Sequence, residues 1–395
     1  MFRRIAARCF AAVIMGVTLP PVAVWADVAV SVTWLRHAEA PRPVLSNLDP
    51  IPQDRGRAGA ELALRDNQTT GRFLGQTYEL TVVEVAPDDD LLPAARAALA
   101  QSPYLVLDAP TASQLSIADL AEAQGAILFN ASSGDTALRA DSCRANLLHT
   151  MPSDAMKADA LMQFARKKRW ENLALIEGAA PQDAAWSQAL RASAAKFGMS
   201  LKGEKQWLFD ADMRRNAAQE VPLFTQDLPK HDLLLISDVA NDFARYIAYN
   251  TWEPRPVAGS EGLMPVAWAP VVEQWGAAQL HSRFHDLAGR DMTPHDYAAW
   301  AAIRALGEAV TRTNAGDADT LRAFLLSDAF ELAGFKGRPL SFRPWNGQLR
   351  QPIPLVTRAA LVAQAPLEGY LHARTELDTL GLDQPESGCT RFEQE

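Results

Sequence analysis

Short apolar runs alternate with stretches of helical periodicity along most of this chain, and this alternation limits the folds open to it. The runs at residues 28–35, 104–107 and 126–129 are too short for core helices and consist of aliphatic, aromatic or β-branched residues. Continuous apolar strands separated by helices are typical of a parallel sheet covered on both faces. The pattern restarts at Ser153, with further strands predicted at residues 173–176 and 232–237. We therefore predict an α/β fold of two doubly wound parallel-sheet lobes joined by a crossover hinge.

The lobe boundaries follow from where the pattern stops and restarts. We predict that residues 27–145 plus 268–340 form lobe 1 and that residues 146–267 plus 341–380 form lobe 2, with residues 381–395 as a C-terminal tail. The first helix is predicted at residues 56–67, ending before Thr69-Thr70-Gly71. A parallel-sheet lobe binds ligands at the carboxyl ends of its strands, so two such lobes place the site in the cleft between them.

The first 26 residues have the organisation of an export signal. Arg3, Arg4 and Arg8 give a positively charged start, an apolar stretch follows, and Val24-Trp25-Ala26 provides the cleavage site. A membrane-spanning helix is the alternative, but Pro20-Pro21 interrupts the stretch before it reaches about 20 apolar residues. We predict cleavage after Ala26 and a periplasmic location. Removing three Arg and no acids changes the net charge from −9 to −12.

Charge and cysteine content exclude some classes of function. The acidic balance disfavours non-specific binding to nucleic acid or to anionic membranes. After export only Cys143 and Cys389 remain, and an even number in an oxidising compartment favours one disulfide, with two separate thiols as the alternative. The chain has no C-x-x-C and no H-E-x-x-H, so we predict no metal site. It also has no G-x-S-x-G, no P-loop and no dinucleotide G-x-G-x-x-G, and we predict that it is not an enzyme.

Polar and aromatic side chains at the predicted strand ends are the candidate ligand contacts. Hydroxyls, amides and cations in such loops suit an anionic group, and Trp faces suit a flat conjugated ligand. In lobe 1 the candidates are Trp34, Arg36, His37, Asp108, Thr111, Asn130, Ser132 and Arg144. The remaining candidates are Glu177, Trp186, Asp238, Trp268 and Trp300. A core position for Trp34 or Trp268 and a structural ion pair for Arg144 are the alternatives.

The order of elements resembles that of the type I periplasmic solute-binding proteins of ABC transporters, close to the branched-chain amino acid and amide binders. The stretch 149–156 sits where those proteins enter the second lobe, and 297–304 resembles their return helix, with Trp300 where Tyr is common. Residues 66–73, 252–259, 345–353 and 376–381 are similar to the subfamily that accompanies alcohol dehydrogenases dependent on pyrroloquinoline quinone (PQQ).

The resemblance implies roles for several of the candidates. In the amino-acid binders, hydroxyls of the third and fourth strand loops hold the carboxylate, a role for Thr111 and Ser132 here. An acid of the second lobe holds the ammonium group, a role for Asp238 or Glu177. Arg36 and His37 depart from that pattern, because a zwitterion does not need their charge. PQQ is a planar tricarboxylate, and Trp34, Arg36, His37, Arg144, Trp268 and Trp186 would supply its cations and aromatic platform.

The resemblance implies a non-catalytic receptor that delivers a small solute, PQQ in the leading interpretation, to an ABC permease. PQQ would be a transported ligand, and no cofactor is required. A receptor for an amino acid, an amide or an alcohol-oxidation metabolite is the second interpretation. A third is an accessory protein that binds a PQQ-dependent alcohol dehydrogenase. An exported enzyme is the fourth, and we expect a monomer that binds no nucleic acid.

Overall fold

The structure is a computed structural model that describes residues 28–40, 51–208 and 213–392. The predicted signal peptide, residues 1–26, lies outside the described residues. Within them, no helix is both long enough and apolar enough to cross a membrane.

The described residues form strands and helices in the following order along the chain. The strands are β1 (Val28–His37), β2 (Gln76–Val85), β3 (Tyr104–Asp108), β4 (Ile127–Asn130), β5 (Leu147–His149), β6 (Asn172–Glu177), β7 (Ser200–Gln206), β8 (Leu233–Ser237), β9 (Val257–Gly259), β10 (Met264–Pro265), β11 (Leu332–Ala333), β12 (Pro339–Phe342), β13 (Leu349–Arg350), β14 (Ile353–Val356) and β15 (Leu361–Ala365). The helices are α1 (Arg57–Leu74), α2 (Leu91–Leu99), α3 (Thr111–Ala118), α4 (Asp154–Lys168), α5 (Pro181–Lys196), α6 (Met213–Thr225), α7 (Ala244–Ile247), α8 (Ala277–Ala288), α9 (Pro294–Thr313), α10 (Ala318–Leu325) and α11 (Gln384–Ser387). Short 3₁₀ turns occur at Ala121–Ala123, Thr136–Arg139 and Glu376–Thr379.

The first lobe is built on a five-stranded parallel sheet with the order β2-β1-β3-β4-β5. Side chains alternate between its two faces, as in any strand. One face, which includes Val32 and Val106, packs against α1 and α9, and the other, which includes Leu35 and Leu107, packs against α2 and α3. Because both faces are covered, the strands are apolar throughout, which is the pattern seen in the sequence.

The second lobe repeats this design with the parallel order β7-β6-β8-β9. Helices α4 and α5 cover one face, where Leu161, Leu175 and Leu190 pack together. Helices α6 and α7 cover the other face, around Ile236 and Ile247. The predicted α/β class and the two parallel-sheet lobes are confirmed.

Two details differ from the expected organisation. β5 pairs with β4, so residues 147–149 extend the sheet of the first lobe, although we expected the second lobe to begin at residue 146. Helix α1 does not end before Gly71 but continues to Leu74, and Gly75 in the left-handed conformation ends it. Gly71 is required by packing, because a Cβ there would lie 2.6 Å from the carbonyl oxygen of Gln76.

Several segments of the described chain cross between the lobes, and buried polar side chains bind them together. Arg139 donates from Nε to Oε1 of Gln348 (2.8 Å) and from Nη2 to the carbonyl of Met151 (2.8 Å). Gln348 in turn donates to the carbonyls of His149 and Met151, both at 3.2 Å. Gln351 donates to the carbonyl of Thr150 at 2.8 Å. These residues, which we call the hinge network, fix the first crossover (after β5) to the last one (between β13 and β14).

The C-terminal tail runs across this hinge and is attached to both lobes. On the second lobe, Asp159 accepts from the backbone of Gly381 (2.8 Å) and from Lys196 (3.2 Å). On the first lobe, Cys389 is bonded to Cys143, so the predicted disulfide is present. Between these points, Ser387 donates to the carbonyl of Arg139 at 2.7 Å.

We expect the hinge network to be sensitive to loss of one amide. Gln348→Leu removes the acceptor of Nε of the buried Arg139 and the side-chain donor to the carbonyls of His149 and Met151, which should lower the free energy of unfolding by roughly 2–4 kcal/mol. Urea unfolding followed by circular dichroism measures it. Gln101→Leu, an exposed position in the first lobe, is the matched control and should change little. Equal effects of the two substitutions would contradict a structural role for the network.

Loss of the disulfide should loosen the tail. The double variant Cys143→Ser/Cys389→Ser should lose roughly 2–4 kcal/mol of unfolding free energy, because the bridge restricts the unfolded chain. Limited proteolysis should then cleave the tail faster than in the wild type. The reductant dithiothreitol should reproduce both effects in the wild type and have none in the variant. An unchanged cleavage rate would contradict a role of the bridge in holding the tail.

Candidate functional site

The carboxyl end of β1 lies beside that of β3, and there the two strands carry an unusual ion pair. Arg36 is the register partner of Asp108, and Nε of Arg36 lies 3.8 Å from Oδ2 of Asp108. The Asp108 side chain is only 9% exposed, yet its Oδ2 atom has no hydrogen-bond partner among the described residues. A buried carboxylate oxygen without a donor is energetically costly. The site therefore holds an unsatisfied acceptor at the mouth of the first lobe.

Two helices begin next to this carboxylate. Gly56 precedes α1 with a φ of 81°, and its backbone N–H donates to Oδ1 of Asp296 at 2.7 Å. A Cβ on Gly56 would lie 3.3 Å from both Oδ2 of Asp108 and the ring of Trp34. Asp296, in the first turn of α9, also accepts from Arg290 at 2.8 Å. Glycine at this position therefore lets the starts of α1 and α9 approach Asp108 closely.

His295, also in the first turn of α9, lies among three cations. Burial, followed by the charges of Arg55, Lys157 and Arg36, lowers the pKa of His295 to about 3. The imidazole is therefore neutral at physiological pH. Arg36 and Arg55 belong to the first lobe, whereas Lys157 belongs to α4 of the second lobe. Cations from both lobes thus converge on one half-buried histidine.

Lys157 reaches this region because α4 begins against the first lobe. The backbone N–H of Asp154 donates to the carbonyl of Gly134 at 2.7 Å, in the loop after β4. Lys157 Nζ lies 2.6 Å from the Asp154 carboxylate and 5.1 Å from the ring centroid of Trp186. Trp186 belongs to α5 and is buried in the core of the second lobe, so Lys157 is the second-lobe side chain nearest this region.

Asp108 has an unusual affinity for protons. Burial raises the pKa of Asp108 to about 6, against the opposing charges of Arg55 and Arg36, and Glu39 and Asp296 raise it further. The ordinary value of an aspartate is 3.8. A carboxyl group with this pKa changes its charge near neutral pH.

The predicted hydroxyl and amide contacts cluster in the loops after β3 and β4, where they bind mainly to one another. Thr111 and Ser133 share a hydrogen bond of 2.9 Å. Ser132 donates to the carbonyl of Ala109 at 3.0 Å. Asn130 is fully buried and accepts from the backbone of Ser133 at 2.8 Å. Asn130 therefore shapes the loop from below, while Thr111 and Ser132 lie closer to the surface, and their predicted contact with a ligand remains a prediction.

Three predicted charged contacts have structural partners elsewhere. Arg144 lies before β5, at the amino end of the sheet, and donates to Asp119 at 2.9 Å, so the expected ligand contact is corrected to an ion pair. Asp238 accepts from the backbone N–H groups of Phe243 and Ala244 at 2.7 and 2.8 Å, and therefore caps α7. Glu177 accepts from Arg191 at 2.6 Å at the end of β6. Neither acid is positioned to hold an ammonium group without giving up these bonds.

Three Trp residues predicted as ligand contacts, of which Trp34 and Trp268 were also expected in the aromatic platform, are corrected to core residues. Trp34, Trp268 and Trp300 are each no more than 1% exposed and belong to the core of the first lobe. Trp268 stacks on Tyr297 with ring centroids 4.6 Å apart. Trp34 is buried because it lies on the sheet face that α1 and α9 cover, and Trp268 and Trp300 pack into the same core. His37, one residue after Arg36, points to the opposite face and lies 3.5 Å from the hydroxyl of Ser113.

Arg55, Lys157 and His295 are absent from the sequence-based candidates. Each lies at the start of a helix, whereas the sequence-based prediction concentrated on residues at the ends of strands. A usable signal was present for His295, since Thr293-Pro294-His295-Asp296 combines an N-cap, Pro at the first turn and an acid three residues later. No group of three or more His, Cys, Asp or Glu among the described residues is arranged to hold a metal ion.

The charge of Asp108 should make the protein less stable as the pH rises. Below pH 4 the group is protonated in both the folded and the unfolded chain, and between pH 4 and about 6 the unfolded chain ionises first. We expect Asp108→Asn to be more stable than the wild type at pH 7.5 by up to about 3 kcal/mol, with the difference vanishing near pH 4. Urea unfolding at several pH values measures it. Asp119→Asn, which removes an exposed ion-paired carboxylate, is the control and should not gain stability. A difference independent of pH would contradict the assignment.

Comparison with known proteins agrees with the observed architecture. Residues 51–212 match the family model described as periplasmic binding protein. No curated protein matches the chain.

Solved structures with the same architecture cover most of the chain. A branched-chain amino acid ABC transporter periplasmic ligand-binding protein from Burkholderia xenovorans has a TM-score of 0.70 and 15% identity, covering 92% of this chain and 100% of its own. A solute-binding protein of an ABC transporter from R. palustris, in complex with benzoate, has a TM-score of 0.64 and 14% identity, covering 92% and 99%. A leucine-binding protein from Thermotoga maritima has a TM-score of 0.59 and 13% identity, covering 85% and 98%. The chain therefore has the type I periplasmic binding protein fold.

Proposed function

We propose that this protein is a non-catalytic periplasmic receptor that binds a small carboxylate-bearing solute between its lobes and delivers it to the permease of an ABC importer. The family match over residues 51–212 and the fold support the receptor class. Export through a signal peptide at residues 1–26 supports the location and stays a prediction. The permease would recognise the two lobes once they have closed on the solute.

The convergence of cations from both lobes carries the proposal. The charges of Arg36 and Arg55 of the first lobe and of Lys157 of the second all lower the pKa of His295, so cations of both lobes act on this one position. Like charges facing one another across a cleft repel, and an anion placed between them removes that repulsion. A carboxylate would bind both lobes through charge-assisted hydrogen bonds, and the guanidinium groups suit its planar geometry.

PQQ remains a candidate within this class of solutes, and the charge of the site is the main observation in its favour. Three carboxylates match a site with several cations. The stacking part of the hypothesis is weaker, because Trp34, Trp268 and Trp300 are buried in the core. Trp186, beside Lys157, is the remaining predicted ring, and it is itself only 5% exposed.

Other small carboxylates compete with PQQ for this assignment. The R. palustris neighbour was solved with benzoate, and the T. maritima neighbour is named for leucine. An acid formed by alcohol oxidation has the same charged group. An amino acid would need an acceptor for its ammonium group, and Asp108 has the acceptor without a partner, whereas Asp238 and Glu177 are engaged.

The accessory-protein interpretation has one observation in its favour. Tyr249 is 88% exposed and Trp252 is 61% exposed, and both follow α7 on the second lobe. Leu223 is also exposed on the adjoining α6, and the backbone of Trp252 binds Thr225 at 2.8 Å. Exposed apolar side chains so close together are typical of contact surfaces, and a PQQ-dependent alcohol dehydrogenase is the partner proposed for it.

A titration with three solutes tests the receptor proposal. We expect PQQ, benzoate or leucine to bind saturably at 1:1 and to raise the melting temperature of residues 27–395, measured by calorimetry and thermal shift. Lys157→Gln should weaken the binding of the best solute at least tenfold, because a charged hydrogen bond is lost. Lys168→Gln, at the other end of α4, is the matched control and should bind as the wild type does.

The outcomes separate the interpretations. Binding that is weakened equally by Lys157→Gln and Lys168→Gln would contradict a site at the cation cluster. No binding of any of the three solutes, together with co-purification of a PQQ-dependent dehydrogenase that Trp252→Ser abolishes, would favour the accessory protein.

A further inference from the structure

We propose that Asp108 takes up a proton when the cleft binds its anionic solute, so that the receptor binds the solute more tightly as the pH falls. This inference rests on the proposed function, because it needs a carboxylate in the cleft. It adds a proton to the binding reaction and assigns that proton to one side chain.

The surroundings of Asp108 explain why its ionised form is poorly stabilised. Arg36 approaches only to 3.8 Å, too far for a hydrogen bond between Nε and Oδ2. The ring of Trp34 and the backbone at Gly56 enclose the same oxygen, and no described residue donates a hydrogen bond to it. Oδ2 is thus held without a hydrogen bond in a largely dry place, and burial accordingly raises the pKa of Asp108 to about 6.

Charged groups from every neighbouring element act on Asp108. β1 provides Arg36 and, just beyond its end, Glu39, and the segment before α1 provides Arg55. α9 provides Asp296, which Arg290 partly neutralises, and the neutral His295. Lys157 from α4 completes the cluster through its proximity to His295. Arg36 and Arg55 oppose the effect of burial on the pKa of Asp108, and Glu39 and Asp296 add to it, so one added negative charge is enough to raise this pKa further.

An incoming carboxylate would compete with Asp108 for the same cations. Two carboxylates that share a site cannot both remain ionised at little cost, so the pKa of the more buried one rises. The solute keeps its charge because ordinary carboxyl groups ionise near pH 4. Asp108 is the buried partner, so it takes one proton from solvent as the solute enters, leaving Arg36 and Arg55 to the solute.

The opposite dependence on pH would identify a different role. If Asp108 holds an ammonium group, it must stay ionised, and the affinity would then fall as the pH falls. The sign of the pH dependence therefore distinguishes a simple anion from an amino acid at this site.

The test compares the wild type with Asp108→Asn at pH 5.5 and pH 7.5, using PQQ, benzoate and leucine. We expect the best solute to bind the wild type about tenfold more tightly at pH 5.5. Calorimetry in two buffers of different ionisation enthalpy should show uptake of up to one proton at pH 7.5. Asp108→Asn should bind at least as tightly as the wild type at pH 7.5, with no change in affinity at pH 5.5 and no proton uptake.

Two further variants exclude other titrating groups. His37→Gln removes a second titratable group at the end of β1, and Asp119→Asn removes an ion-paired carboxylate at the far edge of the sheet. Both should keep the pH dependence of the wild type. A pH-independent affinity in the wild type, or a dependence that survives in Asp108→Asn, would overturn the inference but not the receptor function. No saturable binding at either pH contradicts both.

Discussion

The relative position of the two lobes depends on the buried hydrogen bonds of Arg139. Its guanidinium group joins Gln348 of the last crossover to the carbonyl of Met151 in the first, far from competing water. A polar network of this kind is costly when incomplete, so it specifies one arrangement of the crossing segments. With the crossovers fixed, the first turn of α4 lies against the loop after β4. The position of Lys157 follows from that arrangement, whereas Arg36 and Asp108 are placed by the pairing of β1 with β3.

The positive charge around His295 comes from residues of both lobes. Each lobe alone carries ordinary surface cations, but the hinge brings Lys157 near Arg36 and Arg55 around a neutral His295. Asp108 offsets part of this positive charge from within the first lobe. Under the proposed function, a solute carboxylate would replace this internal counter-ion, so the cations are not left unpaired in the solute-free protein.

Sequence reasoning predicted the fold and the sheet edge at which several of the candidate residues lie. The strand pattern identified both sheets, and position along the chain placed Arg36, Asp108 and Thr111 at the correct sheet edge, since all carboxyl ends of a parallel sheet share an edge. The face of the sheet was harder to predict. Trp34 is buried because its side chain lies on the covered face, and nothing in the sequence says where α9 will pack. The Asp238 carboxylate caps helix α7, and only the geometry of the turn before that helix reveals this role. Lys157 and His295 are distant in sequence from the strand ends of the candidate site.

The C-terminal tail, attached at Gly381 and at Cys389, connects the two lobes on one side of the molecule. Because one end is bound to Asp159 of the second lobe and the other is covalently bound to the first, only the few residues between them provide slack. The lobes can rotate about a hinge on this side of the molecule, but they cannot separate freely. A receptor with fewer open arrangements loses less conformational entropy when it closes, and the solute's contacts then contribute more of their free energy to affinity.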